Sequence, residues 1–253
     1  MIRELAENPN LHQPLGPGRS LHLDAAGRFA VFLNAGTSLR AATVQRVRLL
    51  ADDIEPAVHE VRALLRAQGR EGAEWELGES STPPDLVERL LALGLRLDDD
   101  PVAFGMVLRH PRLEVPPDVE ARAVASLDDL LAARAVQHAA FRGSEPVDEA
   151  QARRDFAQEG VGGTTFVALV EGEIVAAAYA GYTPHGTLLF GGATLPSARG
   201  RGAYRALVAA RAADAVSRGA PAVLTHAGRM SRPILERLGF EPLARIDRLV
   251  DEL

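Results

Sequence analysis

Two stretches of this chain, 150 positions apart, read as the same helix–strand–helix unit, and that repeat constrains the fold more than any other feature. In the second half a helix over 203–218 stops at Gly219, a strand follows over 222–226, and Ser231 opens a helix that stops at Gly239-Phe240. In the first half a helix from about residue 55 stops at Gly69, a strand follows over 73–77, and Ser81-Thr82-Pro83-Pro84 opens a helix that reaches Gly94. Gly69 and Gly219 stand 150 apart, as do Ser81 and Ser231, while Gly94 and Gly239 are 145 apart, so the first-half helix is longer by about one turn. Glycine after a helix supplies a left-handed cap, and Ser followed by Pro suits a helix start. Three elements in one order at one spacing predict two related lobes. The seam falls at Glu114-Val115-Pro116-Pro117-Asp118, where two prolines interrupt any helix or central strand, and divides the chain into 1–115 and 116–253.

The second half is legible throughout. A strand over 120–124 leads to Ser126, which caps a helix carrying Asp128 and Asp129 in its first turn. Pro146-Val147-Asp148-Glu149 begins another helix. A hairpin follows, with strands over 165–170 and 173–179 joined at Glu171-Gly172, and a third strand spans 187–195. Meandering strands followed by crossover helices describe a mixed α/β domain.

Composition removes several classes of chemistry. Among 253 residues there is no cysteine, which excludes disulfides and thiolate chemistry, and all 28 basic residues are arginine, which excludes lysine-based mechanisms and a Walker loop. The seven histidines form no ligand pair, so no metal site is expected. A net charge of −6 argues against nucleic-acid binding. No apolar run approaches the roughly 18 residues of a membrane span, and the N-terminus lacks the pattern of a signal peptide. A cytoplasmic protein is the expectation; oligomeric state, a homodimer included, stays open.

Chemistry concentrates after the third strand, at Pro196-Ser197-Ala198-Arg199-Gly200-Arg201-Gly202-Ala203-Tyr204, which runs directly into a helix. A glycine turn at a helix N-terminus aims several unpaired N–H groups at one spot, and the helix dipole makes that spot favour phosphate. Arg199, Arg201 and Arg205 add full charges suited to phosphate oxygens. Dinucleotide binding fits poorly, because Arg205 stands where the third glycine of that fingerprint belongs.

With this loop and the closing Leu238-Gly239-Phe240, residues 118–253 resemble the GNAT superfamily of acyl-CoA N-acyltransferases. The family motif, Arg/Gln-x-x-Gly-x-Gly/Ala, is matched by Arg199-Gly200-Arg201-Gly202-Ala203-Tyr204 at all but its last position. The resemblance implies a GNAT-type fold in two related lobes, with acetyl-CoA as co-substrate. Its pyrophosphate would lie on the loop amides, and its pantetheine would pair with the backbone of Ala193, Thr194 and Leu195 where two strands splay. The primary amine of a small-molecule or peptide acceptor would attack the thioester directly. An acyl-CoA-binding regulatory or scaffold protein without turnover is the alternative. The family often carries a tyrosine as general acid where this chain has Leu235, and Tyr204 crowds a place usually held by Gly or Ala.

His226, at the end of the strand over 222–226, is the remaining candidate for proton transfer, since imidazole titrates near neutral pH. Tyr179, Tyr182, Phe141-Arg142-Gly143-Ser144, Glu145, Asp148 and Glu149 are candidates for the acceptor side; His185 reads as solvated. In the first half the offset sets 49–54 against the glycine loop, with Asp52 and Asp53 where phosphates would sit, so this lobe reads as a degenerate copy without a CoA loop. Trp75 reads as core, and Asp98-Asp99-Asp100 as a solvated loop.

Overall fold

A computed structural model describes residues 1–111, 113–114, 116, 118–141 and 148–253. Residues 1–48, silent at the level of pattern, form helix α1 (Ile2–Glu7) and three antiparallel strands, β1 (Ser20–Leu23), β2 (Ala30–Leu33) and β3 (Ala42–Gln45). The first copy of the repeat follows as α2 (Ile54–Ala67), β4 (Gly72–Gly78), α3 (Leu86–Ala92) and β5 (Arg96–Leu108). The second half contains β6 (Glu120–Ala123), α4 (Leu127–Ala140), α5 (Glu149–Phe156), β7 (Gly163–Val170), β8 (Glu173–Thr183) and β9 (Gly186–Thr194). It closes with α6 (Ala203–Ser217), β10 (Val223–Ala227), α7 (Arg232–Arg237) and β11 (Glu241–Glu252). The local signals act as expected: Ser126 Oγ accepts from the Asp129 N–H, and Glu171 and Gly172 both take positive φ at the hairpin tip.

All eleven strands join in one sheet, in the order β1-β2-β3-β4-β11-β5-β10-β9-β8-β7-β6. The order mirrors itself about its centre. A meander (β1-β2-β3, then β7-β8-β9) passes through a helix to a strand that pairs parallel to the meander's last member, β3 with β4 and β9 with β10. The final strand of each half, however, lies against the other half: β11 pairs with β4, β5 pairs with β10, and the two pair with each other. Because each half completes the other's sheet, neither presents a free inner edge.

Side-chain alternation sorts the two faces. Trp75 and Leu77 of β4 pack under α2 and α3 with Val58, Val61 and Leu90, and Trp75 is fully buried, as expected of a core residue. Val223 and Ala227 of β10 pack under α6 and α7 with Leu207, Val208 and Leu235. Each such leucine contributes roughly 1.5–3 kcal/mol by leaving water. The opposite face carries α1, with Leu5 and Ala6 on Leu188 and Leu224, and α4, with Ala133 and Val136 on Val167 and Ala177.

Two expectations about the first half are overturned. Its second helix is not a turn longer: α3 has 7 residues against the 6 of α7, and it starts at Leu86, not at Ser81, because Thr82 is drawn into a bridge with Arg48 and the extra residues fall in the connection. The other concerns the acidic run. Asp98, Asp99 and Asp100 are strand residues of β5, not a solvated loop. Asp98 is buried between Arg40, 3.1 Å away, and Arg248, and Asp100 accepts from the Arg229 N–H and pairs with Arg248. Arginines from both halves converge there, so the charges are neutralised in the fold where the sequence shows only an acidic run.

Candidate active site

β9 and β10 are hydrogen-bonded only as far as Leu189 and Thr225; beyond them the strands part. On its other side β9 stays paired to β8 through Ala193 and Thr194, and the Leu195 N–H bonds the Val175 carbonyl. The freed edge of β9 thus offers backbone groups to a gap. Thr194 Oγ1, on this strand, is buried with no hydrogen-bond partner among the described residues, an uncommon state for a hydroxyl. Ala193 is buried and Leu195 half-buried.

The glycine loop follows β9 directly, and Tyr204 at its end packs on Gly192 of that strand. Gly200 and Gly202 take φ of 81° and 89°, the left-handed region that side chains disfavour, and a Cβ on Gly200 would meet nothing within 4 Å. Gly202 is the N-cap of α6 and has no side chain to cap it, so the first-turn N–H groups of Ala203, Tyr204 and Arg205 face outward. Arg199, Arg201 and Arg205 are exposed around this cradle; Arg201 meets the exposed Glu171 at 2.6 Å, and among the described residues the other two pair with no acid. This arrangement suits a diphosphate.

Tyr204, the departure from the motif, turns inward. Its ring lies against Gly192, so close that a Cβ there would come within 2.8 Å of it, and its hydroxyl is beside Ser231 at the start of α7. Burial pushes the phenol above its usual value, against the pull of Arg211 and Ser231. Arg211 is itself buried, held by the carbonyls of Leu207 (3.0 Å) and Tyr179 (3.2 Å), and burial pushes it down to about 10. Leu235 is 1% exposed within the core and presents nothing polar to the gap.

His226 lies on the opposite face of β10, and both ring nitrogens are engaged. Nε2 is 2.8 Å from the Ala6 carbonyl and Nδ1 is 3.4 Å from Glu76 Oε1. Gly105, its partner in register on β5, makes the first contact feasible: a Cβ there would lie 2.1 Å from the Ala6 oxygen. Burial opposes a charge on His226, yet the Glu76 carboxylate and the Ala6 carbonyl outweigh it and hold the imidazole above its usual value. Glu76, whose burial alone would raise it, is held below the usual carboxylate value by His226 and Gln45. Residues 76 and 226 are 150 apart, equivalent positions of the two copies meeting at the centre of the mirrored sheet. Two acceptors around one ring describe a structural clasp, not a group free to move protons at a thioester.

In the first copy the gap between strands is bridged, and the cavity of about 580 Å³ at the start of α2 is lined by Asp52, Glu55, His59 and Arg89 instead of a glycine loop. Strands β3 and β4 also part, after Val44 and Trp75, but the Thr82 N–H bonds the Val47 carbonyl and the Leu49 N–H bonds the Thr82 carbonyl, zipping the gap shut. Asp52 and Asp53 stand exposed and half-exposed at the start of α2.

A cleft of about 800 Å³ lies on the face that carries α1, α4 and α5. Its floor joins two registered rows, Phe32–Thr43–Glu74 on β2, β3 and β4, and Thr165–Tyr179–Phe190 on β7, β8 and β9. Phe190 and Gly191 bring it to the mouth of the gap, with the Gly191 carbonyl held by Gln137 at 3.0 Å. Of the acceptor-side candidates, Tyr179, Phe141 and Asp148 line this cleft. Tyr182 lies elsewhere, bonded to Thr164 and covered by Arg218, Glu149 pairs with Arg153, and His185 is exposed. Arg142, Gly143, Ser144 and Glu145 fall outside the described residues.

Residues 127–240 match the model of the acetyltransferase (GNAT) family. The chain carries a GNAT-family acetyltransferase domain. No curated protein matches the chain. Among solved structures, an N-acetyltransferase from Kribbella flavida is 22% identical over 99% of this chain and 95% of its own, with a TM-score of 0.67. A functionally unknown conserved protein from Staphylococcus epidermidis is 14% identical over 94% and 95%, with a TM-score of 0.65. A tandem GNAT protein from the clavulanic acid biosynthesis pathway is 18% identical over 99% and 87%, with a TM-score of 0.58. At these identities the likeness establishes the fold, and it runs through both halves, beyond the GNAT segment itself. GNAT members are acyltransferases, a class whose co-substrate is an acyl-CoA.

Sequence reasoning missed the residues that the first half contributes to the GNAT domain's cleft. Arg19 reaches across to Tyr179, its guanidinium carbon 5.3 Å from the ring centre, and its Nε donates to Asn34 Oδ1 at 3.2 Å. Glu74, against Arg40, is pushed up to about 7, chiefly by burial. Nothing local in the sequence marks either. Among the described residues no group of three or more His, Asp or Glu could hold a metal, and no helix is long and apolar enough to cross a membrane.

Proposed function

We propose that this protein is an N-acyltransferase that moves an acyl group, the acetyl group of acetyl-CoA in the first place, to the primary amine of an acceptor, by direct attack. The observation that carries this reading is the uncapped N-terminus of α6 behind two left-handed glycines, directly after a strand that parts from β10 at a gap whose far side meets an 800 Å³ cleft. Pyrophosphate fits the amides of Ala203, Tyr204 and Arg205 with Arg199, Arg201 and Arg205 around it. Pantetheine fits the free edge of β9 at Ala193, Thr194 and Leu195, where Thr194 Oγ1 lacks a partner among the described residues. The amine enters from the cleft. One domain, 116–253, holds the CoA, and the lobe 1–115 supplies a wall of the acceptor site without a CoA loop.

Holding amine and thioester together accounts for a large share of the acceleration, about 7–11 kcal/mol at best. The new C–N bond forms as the C–S bond breaks; the amine releases a proton and the departing thiolate takes one up. In this reading Tyr204 is the group that can supply the latter, since its buried phenol stays protonated at neutral pH and sits on Gly192 where the strands part. Leu235 favours the second reading, a CoA-binding protein without turnover, because it leaves the family's usual donor position apolar. Free thiol released from acetyl-CoA across a panel of amines decides between the two: CoA binding without amine-dependent release supports the second.

A further inference from the structure

We propose that the acceptor is a carboxylate-bearing amine, an amino acid or a compound with the same two groups, and that Arg19 is its carboxylate anchor. This rests on the reading of the gap between β9 and β10 as the acyl-transfer site.

The argument begins with charge pairing in the cleft. Three arginines line it: Arg19, Arg40 and Arg134. Arg40 is matched by Glu74 and Asp98, and Arg134 by Asp155 at 2.6 Å. Arg19 meets no carboxylate among the described residues; its Nε donates to the neutral Asn34, and its guanidinium also engages the neutral Tyr179 phenol. Both partners are neutral, so the guanidinium keeps its full charge and donors for a carboxylate.

Position then restricts the ligand. Arg19 lies on the Tyr179 ring, and Tyr179 is the registered neighbour of Phe190, the first residue of β9 beyond its pairing with β10. One strand spacing, about 5 Å, separates those neighbours, so a carboxylate on Arg19 stands a few bonds from an amine at the gap. Phe190 and Phe141 offer apolar surface to the remainder of the molecule. A lone guanidinium with aromatic neighbours matches one carboxylate better than a phosphate, which draws several cations. Arg19 comes from the loop that precedes β1, and Gly18 and Pro17 touch Gln151 of α5, which bonds the Pro17 carbonyl at 3.2 Å. The first half thereby sets specificity for chemistry performed in the second.

The test compares free amino acids (phenylalanine, leucine, glutamate and γ-aminobutyrate) with their methyl esters and with the amines that lack the carboxyl group. Thiol release from acetyl-CoA and the shift in melting temperature of the CoA-bound protein are read for each, with CoA affinity measured separately by calorimetry. We expect the free acids to exceed their esters by at least about tenfold in kcat/KM or to be the members that raise the melting temperature. Arg19→Ala should abolish that preference through KM, and Arg19→Lys should keep part of it. Esters and bare amines performing as well as the acids, or a preference that survives in Arg19→Ala, would overturn the proposal. So would a panel in which no acid gives either turnover or an Arg19-dependent shift. If CoA itself fails to bind, the acyltransferase reading falls first; if CoA binds and the preference is absent, only the role of Arg19 is lost.

Discussion

Replacing Gly202 with aspartate should remove CoA binding while leaving the fold nearly intact, and the two effects can be estimated separately. Gly202 has φ of 89°, so any side chain there costs about 1–2 kcal/mol in backbone strain. A Cβ would approach Pro116 only to 3.4 Å, ordinary contact, so packing adds little. The aspartate also stands at the N-cap of α6, where its carboxylate can accept from the first-turn amides and return about 0.5–1 kcal/mol. Net destabilisation should therefore stay near 1 kcal/mol. Binding suffers more. A carboxylate about 5 Å from one phosphate charge opposes it by roughly 1–3 kcal/mol at effective dielectrics between those of water and a protein surface. Occupying the first-turn amides forfeits a hydrogen bond to a charged group, worth about 1.5–3 kcal/mol. Together these predict a loss of at least about 10²-fold in affinity, with 1.4 kcal/mol for each factor of ten. Calorimetric titration with CoA measures it, and a urea melt checks the fold. Gly202→Ala is the control: it carries the strain without the charge and should weaken binding by less than about tenfold. If Gly202→Asp binds CoA within a few-fold of the parent, the pyrophosphate does not sit on this loop.

Titration should give one CoA per chain, since the first copy's gap is closed by the bonds of Thr82 with Val47 and Leu49; two equivalent sites would contradict that closure. Tyr204→Phe should lower turnover by about 10²-fold or more with CoA affinity nearly unchanged, and an unaltered rate would exclude the phenol as donor. The His226–Glu76 clasp predicts a pH signature. His226 is raised above the usual 6.5, so its contribution is complete below that value and lost as pH rises through the folded value. Glu76 is lowered from 4.5, so its contribution is present above 4.5 and lost as pH falls through the folded value. Urea midpoints should thus decline from slightly acidic towards alkaline pH, and Glu76→Gln should flatten that decline; an unchanged profile would refute the pairing. Leu235→Ala should cost about 2–5 kcal/mol in the same melts, because Leu235 is a buried core residue, and a change below about 1 kcal/mol would show that it is not.

The parts of this protein readable from its sequence are those whose physics is local. Gly200 and Gly202 announce a left-handed turn at a helix start because few other residues take positive φ, and the structure gives them 81° and 89°. Ser126 three residues before Asp129, and Glu171-Gly172 between two apolar runs, mark a cap and a hairpin by chemistry confined to a few bonds. The 150-residue repeat survives in the first helix and strand of each copy, where α2 ends at Ala67 and α6 at Ser217 before a glycine cap, but not at the second helix, which starts at Leu86 in one copy and Arg232 in the other. What only the tertiary structure decided concerns residues far apart in the chain. Strands β5 and β11 each complete the sheet of the other half, and no pattern within a strand names its partner. That exchange draws Asp98 and Asp100 of an acidic run between Arg40 and Arg248. It also sets His226 against Glu76 and the Ala6 carbonyl, turning a candidate catalyst into a clasp. Arg19 is the clearest case: its sequence context is a turn-rich loop, and its position over Tyr179 exists only because strands of both halves line one cleft. Hydrogen bonding and steric preference act over a few residues and leave their mark in the sequence; pairing between distant strands, and the charges it brings together, is settled only when the whole sheet closes.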